Sequence, residues 1–152
     1  MSPRSQRLQR IQARYAAAYL ALDVVAAGAA YTWLYDYRKS VAEPARFGLS
    51  HVEWDAFFPL GLAVTAMLWV ATMAVVGLYQ GVLRKSRLTE MSRLLQAGTV
   101  FVLGYFLLFL LDDYVKNYTQ YWGAIQRFAG GLLGLSSLFR LALGTRIRWR
   151  IT

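Results

Sequence analysis

The chain of 152 residues contains no cysteine, a single histidine and only eight acidic residues. Without cysteine, neither a disulfide framework nor a thiolate metal site exists. The lone histidine, His51, stands near Glu53 and Asp55, a trio read as an exposed polar loop rather than a metal site. No Ser, His and Asp arrangement, no glycine-rich phosphate loop after a strand and no H-E-x-x-H element occurs, so nothing in the chain points to catalysis. Repeats and low-complexity tracts are missing as well.

What is present is apolar and basic together. Hydrophobic residues make up 57% of the chain, yet the net charge is +9, which excludes both an ordinary soluble globule and a disordered polyelectrolyte. Four runs, 15–35, 57–79, 94–111 and 121–143, match what a helix needs to cross a bilayer, roughly 17–25 apolar residues. They leave no material for a separate soluble core. The expectation is an all-α, polytopic bundle of four transmembrane helices, with a basic interfacial segment over 1–14 and a basic tail over 144–152. The lead "MSPRSQRLQRIQAR" is followed by no A-x-A-like cleavage site, so the first apolar run is read as retained.

Cations near helix ends decide which side of the membrane each loop occupies. Arg4, Arg7, Arg10 and Arg14, then Arg84, Lys85, Arg87 and Arg93, then Arg140, Arg146, Arg148 and Arg150 make twelve cations against one acid, Glu90. The two remaining loops hold Arg38, Lys39, Arg46, Lys116 and Arg127 against six acids, Asp36, Glu43, Glu53, Asp55, Asp112 and Asp113. Both termini are therefore expected to be cytoplasmic, and the cations to meet anionic lipid. Nucleic acid is not expected as a partner, because the cations are split among three short membrane-flanking segments.

Local signals add detail. The arginines at 4, 7, 10 and 14 fall at helical spacing, which predicts either an interfacial helix or a continuous extension of helix one. Tyr31, Trp33, Tyr35 and Tyr37 form an aromatic belt with Trp54, Tyr114, Tyr118, Tyr121 and Trp122. Ser50 and Glu53 form a capping box that predicts a short helix from His51, with Pro59 bending it on entry to the bilayer. Only twelve residues, Phe128 to Phe139, separate Arg127 from Arg140. They span about 20 Å, so both arginines are expected to snorkel outward or the bilayer to thin. Gly130 and Gly134 stand at small-xxx-small spacing beside Gly131, marking the last helix as a packing or dimer face.

Asp23 is the one acid inside an apolar run, and an intramembrane carboxylate is expensive. Arg140 from a neighbouring helix is its expected partner in a structural ion pair; a transport role for Asp23 in a small four-helix transporter is the alternative. Asp112 and Asp113 resemble a magnesium-holding pair, but they fall on the outer side without a third ligand and are read as a solvated helix end.

Taken together, "GLYQGVLRKSRLTEMSRLLQAG" (77–98), Asp23 with "YDYRK", "LLDDYVKNYTQYW" (110–122) and "LFRLALGTRIRWRI" (138–151) resemble the N-terminal membrane domain of bacterial exopolysaccharide sugar transferases, the polyprenyl glycosylphosphotransferases. The resemblance implies a four-helix inner-membrane anchor. In that family it precedes soluble domains that transfer a sugar 1-phosphate from a nucleotide sugar to undecaprenyl phosphate with magnesium. Those catalytic positions are absent from this chain, so no cofactor is expected in it. Arg84, Lys85, Arg87, Arg146 and Arg148 are the candidates for headgroup or lipid-phosphate contact, Asp23 and Arg140 the intramembrane polar residues, and a homo-oligomer the expected assembly.

Overall fold

The computed structural model describes residues 3–48, 53–80, 86–109 and 118–151. Those residues form α1 (Pro3–Tyr37), α2 (Glu43–Phe47), α3 (Phe58–Val75), α4 (Arg87–Phe109) and α5 (Tyr118–Ile151), with a π-helical turn, Arg38–Ala42, joining α1 to α2. No strand occurs among them. The chain is all-α, and four stretches are long and apolar enough to cross a membrane: Gln9–Ala45, Phe58–Val75, Arg87–Leu108 and Tyr121–Arg146.

The outward faces agree with that reading. Met67, Val75, Val100, Leu108 and Leu138 are all more than 60% exposed. In water such a surface would be a large apolar patch, whereas hydrocarbon solvates it without cost. Inside, Trp69 and Met73 of α3, Leu94 and Phe106 of α4, and Phe128 and Leu132 of α5 close on α1's small residues Ala27 and Ala30. Trp69 meets the edge of Phe101, and Tyr105 stacks on Phe128 at 4.8 Å between centroids.

Helix boundaries depart from the sequence expectations in informative ways. No break falls at Arg14; α1 runs on from Pro3, so the basic lead extends helix one. α3 ends at Val75 instead of Tyr79, because Gly77 adopts φ 72°, which a helix does not accommodate. α4 starts at Arg87 and takes the second half of the basic hairpin into the helix, while α5 continues through the basic tail to Ile151.

The outer loop corrects two expectations. Glu53 to Asp55 are irregular and 56–57 a turn, so no helix occupies them; Ser50 and His51 lie outside the described residues. The short helix is α2 instead, stopped by Gly48 at φ 65°. Pro59 bends nothing. It stands in the first turn of α3, where its missing N–H has no intrahelical role, and so starts the helix.

Candidate functional site: a three-helix ion pair

Asp23, eight residues beyond Tyr15 on α1, is 2% exposed and surrounded by apolar side chains. A bare carboxylate there would cost several kcal/mol, on the order of the desolvation penalty of one buried ion. Arg140, also 2% exposed, supplies the counter-charge from α5: its Nη2 donates to Asp23 Oδ2 at 2.5 Å. The Asp23–Arg140 pairing expected from the sequence is therefore formed.

The guanidinium is forked between two acids. Nη1 donates to Glu90 Oε1 at 3.0 Å, so α1, α4 and α5 are bridged through one side chain. Tyr79, in the turn after α3, donates its hydroxyl to Asp23 Oδ2 at 2.8 Å. The guanidinium carbon lies 5.1 Å from the Tyr19 ring centroid and 5.8 Å from that of Tyr79, within reach of a cation–π attraction. Arg140 Nε is buried without a hydrogen-bond partner among the described residues.

This arrangement corrects the expectation that Arg140 snorkels to the interface. Two carboxylates inside the bundle offer it charge-assisted bonds, so its side chain turns inward instead. Arg127 behaves differently. Its guanidinium carbon sits 3.9 Å from the Tyr37 ring centroid, and Nη1 donates one turn back to the Gly123 carbonyl at 3.1 Å.

A second polar cluster closes the opposite end. Lys39 Nζ bonds Glu43 Oε2 at 2.9 Å and Asp55 Oδ2 at 3.0 Å. The Tyr35 hydroxyl donates to Asp55 Oδ2 at 3.1 Å and accepts from the Asp55 amide at 2.8 Å. The lysine and the tyrosine hydroxyl, in that order, hold the Asp55 carboxyl below the usual carboxylate range. Tyr35 also meets Trp54 edge-on at 5.3 Å, which pins the outer loop to α1. Asp23 and Lys39 are sixteen residues apart on one continuous helical run, roughly 24 Å by helix rise. The two clusters thus stand at the two ends of one bilayer-scale slab. The ends of α1, α3, α4 and α5 that adjoin the basic segments all fall on the Arg140 side.

Other sequence-marked residues take mixed places. Gly131 is closely packed, since a side chain there would meet Trp33 and the Ala30 backbone at 3.2–3.4 Å, while Gly130 and Gly134 have open space. The intramolecular contact is thus α1's alanines against Gly131, with Gly130 and Gly134 turned outward. Arg87 is half-buried at the start of α4, and Arg146 is exposed. Arg84, Lys85, Asp112 and Asp113 lie outside the described residues, as do the side chains of Arg4, Arg148 and Arg150. Sequence reasoning missed Glu90, Tyr79 and Lys39. Glu90 did carry a signal, as the single acid in a basic hairpin, and it also sits in the first turn of α4, where the helix dipole favours negative charge.

Compared with protein families, with curated proteins and with solved structures, the chain finds no match.

Proposed function

We propose that the chain is the membrane anchor and assembly domain of a bacterial sugar transferase that moves a sugar 1-phosphate from a nucleotide sugar to undecaprenyl phosphate. It lies in the inner membrane with both termini cytoplasmic. The observation that carries this reading is the Arg140 fork. It ties the first and last spanning helices together at the end where the basic segments gather, and α5 continues from it as one helix to Ile151. A rigid exit of that kind suits an anchor that holds a catalytic domain at the membrane surface. The same fork speaks against a transporter, since Asp23 is held by Arg140 and Tyr79 rather than presented to an aqueous path.

In this reading Arg84, Lys85, Arg87, Arg146 and Arg148 rest on anionic headgroups and favour the phosphate of the polyprenyl acceptor. Gly130 and Gly134, with open faces, are the contact between copies. Deleting the gene should abolish transfer of labelled sugar 1-phosphate to endogenous polyprenyl phosphate in isolated membranes. Restoring it should recover that transfer, and replacing Arg84, Lys85 and Arg87 together by glutamine should lower it or alter topology. Undiminished transfer after deletion would overturn the sugar-transferase reading, and flux through the chain in proteoliposomes that vanishes in Asp23→Asn would replace it with transport.

A further inference from the structure

A groove of about 340 Å³ opens between α1, α3 and α4, at the Lys39 end of the bundle. That volume falls within the range of small-ligand sites, about 300–1,000 Å³. The groove exists because α3 packs chiefly on α1 and touches α4 little, leaving a gap that neither helix fills. Gly61, with no side chain of its own, lets the Tyr31 hydroxyl cross that gap against α3.

The lining is graded. Arg38 stands at the aqueous end, in the π-helical turn, and Tyr105 at the floor, its hydroxyl bonded to buried Thr65 at 2.8 Å. Between them the walls are apolar, with Leu60 and Val64 on one side. From Phe57 to Val64 the wall runs about 10 Å into the membrane by helix rise. Its rim faces outward, since Phe57 is 76% and Leu60 61% exposed on the surface that hydrocarbon covers. A water-soluble anion has nothing to gain from such walls, and a neutral hydrocarbon chain has no use for the cation.

Charge complementarity narrows the occupant further. Glu43 and Asp55, two acids of this boundary, are both held by Lys39, which leaves the groove's own charge to Arg38. A guanidinium at headgroup depth above an apolar slot matches a phosphate carried on an acyl chain. We infer that this groove is a binding site for one anionic phospholipid, its phosphate on Arg38 and one chain lying between α1 and α3. The inference needs only that the chain spans a membrane and is independent of the sugar-transferase reading.

The test uses the full chain in mild detergent, mixed with equal amounts of phosphatidylglycerol and phosphatidylcholine of matched chains, with retained lipid counted by native mass spectrometry. The wild-type chain should keep phosphatidylglycerol preferentially. Arg38→Gln should lower that retention about tenfold, the scale of one charge-assisted hydrogen bond, to the level of phosphatidylcholine. Val64→Trp, which fills the slot, should lower retention of both lipids at unchanged helix content by circular dichroism. If that variant loses helix, Leu60→Trp at the exposed rim serves in its place. Excess inorganic phosphate should leave the lipid bound. Equal retention of the two lipids by the wild-type chain, full retention in Arg38→Gln, or displacement by inorganic phosphate would each overturn the assignment.

Discussion

The two polar ends of the bundle are built from similar parts, a cation between two carboxylates beside a tyrosine, yet they differ in reach and burial. The Arg140 end joins residues 50 and 117 positions apart in the chain, and its cation is almost fully enclosed. The Lys39 end joins residues four and sixteen apart, and one of its acids, Asp55, has a side chain 57% exposed. A buried pair becomes costly when one partner is lost, because the other stays desolvated; a wet pair simply exchanges its partner for water. The first cluster therefore locks helices to one another, and the second shapes a loop.

That contrast breaks most directly at Arg140. Arg140→Gln strands two carboxylates and should destabilise the bundle by about 3–5 kcal/mol, read from thermal or dodecyl-sulfate unfolding followed by circular dichroism. Combining it with Asp23→Asn should recover part of the loss, and a double variant as unstable as the sum of the singles would deny the pairing. Asp23→Asn alone leaves Arg140 with Glu90 and should cost about 1.5–3 kcal/mol in the same assay. Gly131→Leu presses on the Ala30 backbone and should cost about 1–3 kcal/mol. Gly130→Leu should leave unfolding of the single chain unchanged.

Smaller effects sharpen the comparison. Tyr79→Phe removes one of the two hydroxyl or guanidinium donors to Asp23 and should cost about 1 kcal/mol. At the wet end the readout is titration. Asp55 is held low, so its contribution to stability is present above the ordinary carboxylate range and is lost as pH falls through its lowered value. Carbon NMR of its carboxyl should show a midpoint below that of a free aspartate, moving up in Lys39→Gln with little change in unfolding temperature. A midpoint indifferent to Lys39 would remove the lysine as the cause.

The positions of the four spanning helices could be read from apolar runs alone, because crossing hydrocarbon is a local demand on length and composition. Their ends were harder to read. The charged 84–93 segment looked like a loop, yet Arg87 to Arg93 are helical, since charge does not stop a helix outside the membrane and no proline or glycine intervenes. Pro59 was visible as a helix modifier, but whether proline bends or begins a helix depends on which turn it occupies. Asp23 announced itself by its cost, and Arg140 by a short apolar interval. Glu90, counted only as a lone acid among cations, gave no hint of its partner.

By itself, then, the amino-acid order determined an all-helical chain with four membrane-length apolar stretches and a lopsided distribution of cations, since those properties follow from composition within about twenty consecutive residues. Tertiary structure alone decided that one guanidinium serves two acids from different helices, that Gly131 rather than Gly130 meets α1, and that a gap is left between α3 and α4. Each of these depends on how far every helix is rotated about its own axis. That rotation is settled by side-chain packing between segments distant in the chain, which no local pattern encodes.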